Sequence, residues 1–399
     1  MTNNAVTDSR WLLPDGVDEV LPPQAGALEA LRRQILSLYD SWGYDLVMPP
    51  AIEYLDALLT GVARDLDVQT FKLTDQVSGR LMGVRADMTP QAARIDAHQL
   101  RRDCPVRLCY TGTVLQTRPE GPAASRNPLQ VGAELYGHTG IESDAEIIAL
   151  MIETLRLADV AEPHLDLGHV GIFRGLAEQA GLDAATESRL WEALQRKAAS
   201  EVDALLAEAD VAEPARHMLS ALAPLSGGPE VLDEAASRLA EADEPVQRAL
   251  ADLRAIADAL QDWLPDLAVH FDLAELRGYQ YHTGVVFAAF VPGYGEEIAR
   301  GGRYDDIGRV FGRARAATGF SCDLKTLFNR SERASAAPAA IAAPWQHDAE
   351  LIRRVHELRG AGERVIWLLP GHEQELVAMG CNRRLVWHAD GWTVEAIEG

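Results

Sequence analysis

The sequence predicts an α+β protein: a mostly antiparallel sheet with flanking helices, interrupted by a helical insertion and followed by a small α/β unit. Three observations carry this. Short strand-like runs punctuated by Pro and Gly alternate with amphipathic helices through residues 1–170. Residues 171–262 then become rich in Ala, Leu and Glu, with little strand character. Last, "SERASAAPAAIAAP" reads as a linker across 331–345, ahead of mixed helix and strand patterns over 346–399. The predicted division is a core of 1–170 plus 263–330, the insertion at 171–262, the linker, and the C-terminal unit. Several units are expected, because 399 residues exceed what one hydrophobic core usually supports.

The elements follow in order. Leu28, Leu31, Ile35, Leu38 and Trp42 recur at steps of three and four, so 25–42 is an amphipathic helix. "YDLVMPPAIEY" is strand-like but broken at Pro49 and Pro50, which suits an edge or interface strand. "FKLTDQVSGRLMGVR" reads as a hairpin around Ser78-Gly79. "MTPQAARIDAHQLRR" is helical, with Thr89 as N-cap and Pro90 at the first position. Strands on both sides of the loop "TRPEGPAASRNP" extend the sheet. In the insertion, Val246, Leu250, Leu253, Ile256, Leu260 and Leu264 mark a helix. Sheet resumes with "AVHFDL", "GVVFAAFV" and "EIARGGRY", then helix around Leu324 to Phe328. The C-terminal unit reads helix ("DAELIRRVHELR"), strand ("RVIWLLP"), helix, strand ("RLVWH").

Composition narrows the function. The net charge of −23 disfavours a large nucleic-acid surface, which needs clustered Lys and Arg to neutralise phosphates. The C-terminal unit is also acidic, with six Arg against nine Asp or Glu. No run approaches the roughly 18 apolar residues of a membrane span, and "MTNNAVTDSR" lacks the basic start and apolar run of a signal peptide. A soluble, cytoplasmic protein is expected. Cys104, Cys109, Cys322 and Cys381 show no pairing or metal spacing and read as small buried hydrophobes. The eleven histidines lack ligand spacing, and no Walker A loop, GxGxxG, HExxH or GxSxG appears, so neither metal nor cofactor is expected. Gly301-Gly302 in "ARGGRYDD" reads as a turn.

Five segments, "GVRADMTPQAARI", the 117–128 loop, "LRGYQYHTGVVF", "ARGGRYDD" and "ATGFSCDL", occur in an order and spacing similar to those of histidyl-tRNA synthetases. The resemblance covers about residues 10–330 and implies a class II aminoacyl-tRNA synthetase-like core that dimerises through the Pro50 strand. It aligns Asp87 and Thr89 with groups near a bound α-amino group, and Gln130 and Glu134 with groups lining bound histidine. Arg277, Tyr281, His282 and Tyr304 fall around the carboxylate and imidazole. Acids and amides accept from ammonium and imidazole N–H groups, while Arg277 offers a forked donor set to a carboxylate. Two positions depart from the family: Asp87 stands for a glutamate and His282 for a tyrosine. Singly, Glu134 or Arg277 would read as a structural ion-pair partner; together the matched positions read as a ligand pocket.

The nucleotide side is degenerate. Synthetases of this kind clamp ATP with one motif 2 and one motif 3 arginine, and here Gln116 and Thr326 occupy those positions. Charge-assisted hydrogen bonds are worth about 1.5–3 kcal/mol each, so losing two costs roughly 100- to 10⁴-fold in ATP affinity if the terms add. Adenylate formation also loses charge it needs in the transition state. Leu129 replaces a histidine, and a motif 2 glutamate is missing. Arg118 and Arg126 read as solvated loop arginines.

A retained histidine pocket with a damaged ATP clamp resembles the histidyl-tRNA synthetase-like regulatory subunits of ATP phosphoribosyltransferase. That resemblance implies a non-catalytic chain that pairs with a short-form catalytic subunit, commonly as a hetero-octamer, activates it and confers feedback inhibition by L-histidine. Two other readings fit the same pocket: an active histidyl-tRNA synthetase, and a histidine-binding module with another partner.

Overall fold

The computed structural model describes residues 11–59, 64–119, 121, 124–276, 278–279, 281–331, 339–372 and 374–397. They form two compact units, one drawn from 1–19 and 31–333, the other from 20–30 and 334–399. Among the described residues no helix is long and apolar enough to cross a membrane.

Helix α1 (Gln24–Ser41) contributes the buried Leu31, Ile35 and Tyr39 to the first unit. The run around Pro49-Pro50 divides into β1 (Asp45–Leu46) and β2 (Ile52–Tyr54), which join different sheets. After α2 (Leu55–Leu59) and α3 (Arg64–Gln69), β3 (Phe71–Thr74) and β4 (Leu81–Val84) pair with β2 in a three-stranded antiparallel sheet, order β2-β4-β3. The hairpin turn forms because Gly79 takes φ +70° and the Asp75 carboxylate accepts from the Val77 and Ser78 N–H groups at 3.0 and 3.2 Å. The helix expected over 88–102 is α4 (Thr89–Arg94) continued as a π-helix over Ile95–Leu100. Thr89 is not its N-cap. That place falls to Met88, and the Thr89 N–H is satisfied by the Asp87 carboxylate at 3.0 Å, leaving the Thr89 hydroxyl for another partner.

The large sheet is built from β5 (Val106–Thr113), β6 (Leu129–Tyr136), β7 (His164–His169), β8 (Ser226–Gly227), β9 (Ala268–Asp272), β10 (Val285–Phe290), β11 (Ala299–Arg303) and β12 (Ala317–Asp323) with β1. Its order is β1-β5-β6-β12-β11-β10-β7-β9-β8, antiparallel except at β1–β5 and β7–β9. Helix α5 (Ile141–Leu157) lies across its centre, with Ile147, Ile148, Leu150, Met151 and Ile152 wholly buried. Most of 170–263 is helical: α6 (Val170–Gln179), α7 (Ala184–Gln195), α8 (Ala199–Glu208), α9 (Ala215–Ala221), α10 (Glu230–Arg238) and α11 (Glu244–Trp263), with β8 between α9 and α10. Helix α12 (Leu324–Arg330) follows β12, capped by the Asp323 carboxylate, which accepts from the Lys325 N–H.

The sheet-like run "EIARGGRY" does contain β11, and Gly301 and Gly302 lie in the middle of that strand rather than in a turn. A Cβ on Gly301 would meet the Phe287 ring at 2.5 Å, and one on Gly302 the His282 imidazole at 2.7 Å, so the pair thins a crowded strand. Cys104 is exposed, unlike the other three cysteines.

In the second unit β13 (Ala340–Pro344), α13 (Ala349–Gly360), β14 (Val365–Leu368), β15 (Cys381–His388) and β16 (Gly391–Ala396) make a sheet of order β14-β13-β15-β16. Residues 340–344, read from sequence as part of the 331–345 linker, are thus an inner parallel strand; 332–338 of that linker lie outside the described residues. Small residues suit a strand buried on both faces: Ile341 and Ala343 pack with Leu351 and Val355 of α13, Ala340 and Ala342 with Cys381. The helix expected between the later strands is a succession of turns, and β16 completes the edge.

One buried ion pair locks the large sheet to α5. Arg303, 7% exposed, donates to Asp144 Oδ2 from Nε at 3.0 Å and from Nη2 at 2.8 Å, and also to the Ser143 hydroxyl and the His138 and Gly140 carbonyls. Removing Asp144 leaves Arg303 only the partly exposed Asp305 carboxylate at 3.2 Å, so most of a buried charge goes uncompensated, at up to about 3–5 kcal/mol. Asp144→Ala is therefore expected to lower the free energy of urea unfolding by about that amount, whereas Arg309→Ala, at an exposed i,i+3 pair with Asp306, should change it by less than about 1 kcal/mol.

Candidate ligand site on the open face of the sheet

One face of the large sheet is covered by α1 and α5, where Tyr39 meets Phe320 edge-on at 6.1 Å. On the other face Leu108, Glu134, Gly319 and Gly302 stand side by side in register across β5, β6, β12 and β11. The glycines make the site possible. A Cβ on Gly319 would lie 1.7 Å from Glu134 Oε2 and 2.5 Å from the Tyr304 hydroxyl, so only glycine lets both groups reach the same spot. Gly132 likewise accommodates the Tyr110 hydroxyl, which would be 2.6 Å from a Cβ there.

A continuous polar chain crosses this face. Tyr110 donates to Glu134 Oε1 at 2.8 Å, and its oxygen lies 3.0 Å from the Thr89 hydroxyl. Asp87 Oδ1 accepts from the Thr89 N–H at 3.0 Å and from Gln130 Nε2 at 2.7 Å, while Gln130 Oε1 accepts from the Met88 N–H at 2.9 Å. Asp87, Thr89, Gln130 and Glu134 are thereby brought together, with Tyr304 beside Glu134. The His282 ring, 7% exposed, lies 6.2 Å from Tyr304; Tyr281 is half-exposed and tilts on His282 at 4.3 Å. Arg277 lies outside the described residues.

Two atoms in this cluster are incomplete. Glu134 Oε2 and the Tyr304 hydroxyl are buried without a hydrogen-bond partner among the described residues. Buried polar groups are nearly always satisfied, so an unmet carboxylate oxygen next to an unmet hydroxyl is the signature of a place for a polar ligand. Burial pushes the Glu134 carboxyl well above its ordinary range, the Tyr110 hydroxyl pulls it back, and the Asp87 charge pushes it further up. A carboxylate held this way suits a cationic or N–H-bearing ligand, whose arrival restores the charge balance.

Gln116 and Thr326, which the family resemblance aligns with the ATP-clamping arginines, are both uncharged. Gln116 is buried, and its backbone pairs with that of Arg126. The Thr326 hydroxyl donates to Asp323 Oδ2 at 2.9 Å. Arg126 is not a solvated loop residue: its guanidinium donates to the Gln116 and Asp15 carbonyls at 3.1 and 2.9 Å and rests on Phe71. Arg118 is exposed. Sequence reasoning missed Tyr110 and Gly319. The only signal for Tyr110 was a tyrosine in an apolar strand, and its role depends on a register with Gly132 that local pattern does not disclose.

This fold and this acid-lined face define a class II, histidyl-tRNA synthetase-like protein. The family model described as histidyl-tRNA synthetase matches residues 16–327, and that of the ATP phosphoribosyltransferase subunit HisZ C-terminal domain matches 338–395. ATP phosphoribosyltransferase regulatory subunits from Alkalilimnicola ehrlichii and Thioalkalivibrio sulfidiphilus are 62% and 60% identical, over 95% and 98% of this chain and 95% and 99% of theirs. A crystal structure of an ATP phosphoribosyltransferase regulatory subunit/histidyl-tRNA synthetase from Bacillus halodurans superposes with TM-score 0.81 at 27% identity, over 92% of this chain and 95% of that one. A histidyl-tRNA synthetase from a Nostoc species shares the fold, with TM-score 0.78 at 19% identity and 97% coverage of both. The chain belongs to the family of ATP phosphoribosyltransferase regulatory subunits, with a regulatory role in histidine biosynthesis.

Tyr110→Phe removes the hydroxyl that satisfies Glu134 Oε1 and is expected to cost about 1–3 kcal/mol in urea unfolding. The cost should largely vanish in the Tyr110→Phe/Glu134→Leu double variant, because both buried polar partners are then gone.

Proposed function

We propose that this chain is the histidine-sensing subunit of ATP phosphoribosyltransferase, acting in the cytoplasm without catalysis of its own. It pairs with a short-form catalytic subunit, activates it and transmits feedback inhibition by L-histidine. The observation that carries the reading is the buried, unmet carboxylate oxygen of Glu134 facing the unmet Tyr304 hydroxyl. In this account Glu134, Gln130, Asp87 and Thr89 receive the N–H groups of histidine, Arg277 holds its carboxylate, and Tyr281, His282 and Tyr304 enclose the ring. Loss of aminoacylation follows from uncharged Gln116 and Thr326, with Arg126 committed to backbone carbonyls. The exposed Leu46, Met48, Ile52 and Tyr54 around Pro49-Pro50 support a homodimer through that segment, and two copies of it within a hetero-octamer extend the same logic.

Regulation is linkage: histidine binds the inhibited assembly more tightly than the active one, and inhibition can be no stronger than that difference. The test is phosphoribosyltransferase activity of the complex reconstituted with its catalytic subunit. Glu134→Gln is expected to leave activation intact and to raise the histidine concentration for half-inhibition at least tenfold. Unchanged inhibition in Glu134→Gln contradicts the assignment of the pocket, and tRNA charging by the isolated wild-type chain contradicts the regulatory reading in favour of a synthetase.

A pH dependence follows from Glu134. Its carboxyl is raised in the free protein, and a bound cation lowers it, so binding releases a proton wherever free Glu134 is protonated. Histidine affinity is therefore expected to rise as pH increases through the free-state titration of Glu134. Glu134→Gln should remove that part of the slope and leave the ligand's own, which calorimetry in buffers of different ionisation enthalpy resolves.

A further inference from the structure

Between β9 and β10 the described residues 273–276, 278–279 and 281–284 include Tyr281 and His282; Thr283 bonds to the Arg303 carbonyl of β11 at 2.7 Å, and Leu276, Tyr279 and His282 are held by side chains of α6 and α7. Trp191 of α7 donates from Nε1 to the Leu276 carbonyl at 3.2 Å. Arg174 of α6 donates from one Nη2 to the Tyr279 carbonyl at 2.9 Å and to the His282 carbonyl at 3.1 Å. The Tyr279 hydroxyl donates to the Glu187 carboxylate of α7, and its ring is boxed by Phe173 at 5.3 Å, Trp191 at 6.2 Å and the Arg174 guanidinium at 4.9 Å. Tyr279 is 8% exposed and Leu276 fully buried, while their partners Arg174, Glu187 and Trp191 are half-buried, so these contacts are partly sheltered from water. All four side chains, Arg174, Phe173, Glu187 and Trp191, belong to the helical insertion, and none of them belongs to the polar chain around Glu134.

The Tyr279 and His282 carbonyls cannot lose their shared Arg174 donor without cost, since an unmet buried acceptor forfeits the desolvation of that group, whereas the Leu276 carbonyl also accepts from the Tyr279 N–H at 3.0 Å and has Trp191 as its second donor. Any change in loop conformation that ligand binding imposes on His282 or Tyr281 must therefore either break these bonds or carry α6 and α7 with it. The packing of Tyr279 among three aromatic or cationic planes favours the second course, because close-packed interiors move as blocks.

We propose that Arg174, Glu187 and Trp191 are positioning residues that couple the histidine site to the helical insertion, through the 276–282 loop. This rests on the histidine-sensor reading above and adds to it the route by which occupancy leaves the site. The stability of the insertion then responds to histidine together with that of the site, although none of its side chains enters the polar chain at Glu134.

The experiment is amide hydrogen exchange of the full chain with and without saturating L-histidine, alongside calorimetric titration of the same samples. Histidine is expected to slow exchange in β6 and in the 276–282 loop, and also in α7, at least threefold. Tyr279→Phe, which keeps the packed ring and removes only the hydroxyl to Glu187, is expected to weaken histidine binding several-fold and to abolish the α7 response while the β6 response persists at saturation. Trp191→Phe, which keeps an aromatic ring and loses the bond to Leu276, should behave likewise, and a matched exposed change on the same helix, Arg189→Ala, should leave both responses in place. Histidine that binds and protects β6 without altering exchange in α7 overturns the coupling and leaves the sensor reading standing. No heat and no protection in β6 overturn the sensor reading, and the coupling falls with it. Equal α7 protection in Tyr279→Phe, Trp191→Phe and wild type likewise overturns the roles assigned here.

Discussion

The burial of one carboxylate organises this protein. Glu134 sits in the middle of the large sheet at 1% exposure, where an uncompensated charge is costly. Its surroundings are arranged around that fact: Tyr110 crosses Gly132 to donate to one oxygen, Gly319 clears the space before the other, and Thr89 and Gln130 extend the polar chain to Asp87. The strand order follows the same need. Residues from β5, β6, β11 and β12 converge there only because these strands are neighbours in antiparallel register, with α5 sealing the far side through Arg303 and Asp144. The sheet presents a rigid acid at its centre and leaves the loops around it to respond.

That arrangement explains how one scaffold serves two chemistries. A synthetase must hold an amino acid and also neutralise the phosphates of ATP. Here Asp87, Thr89, Gln130 and Glu134, aligned by resemblance with the amino-acid side, lie together, while Thr326, aligned with the ATP side, bonds within its own segment. Thr326 and Lys325 bond to Asp323 and Asp18, and Arg126 ties the motif loop to the 15–18 segment. The nearby cations Arg126 and Lys325 fasten loops to one another. Under the proposed histidine-sensing function, the output of such a site is conformational rather than chemical.

Legibility from sequence followed the range of the interactions. Periodicity at Leu31, Ile35 and Leu38 announced a helix because a helix face is set by residues three and four apart. The Ser78-Gly79 turn was likewise local. The Ala-rich 340–344 strand was hidden because small residues suit a linker and a doubly buried parallel strand equally. Gly301-Gly302 looked like a turn, since what requires glycine there is Phe287 and His282 from elsewhere in the chain. Arg126 looked solvated because its acceptors include a carbonyl 111 residues away. The acids and hydroxyls of the site were nameable through family resemblance, but Tyr110 depends on a cross-strand register.

The most direct measurement is calorimetric titration of the purified chain with L-histidine and with ATP–Mg²⁺, each in the presence and absence of the other. Saturable histidine binding that Glu134→Gln weakens, with no heat from ATP–Mg²⁺ under either condition, is the predicted result. ATP–Mg²⁺ binding that tightens when histidine is present would contradict it, because the nucleotide side would then still be doing a synthetase's work.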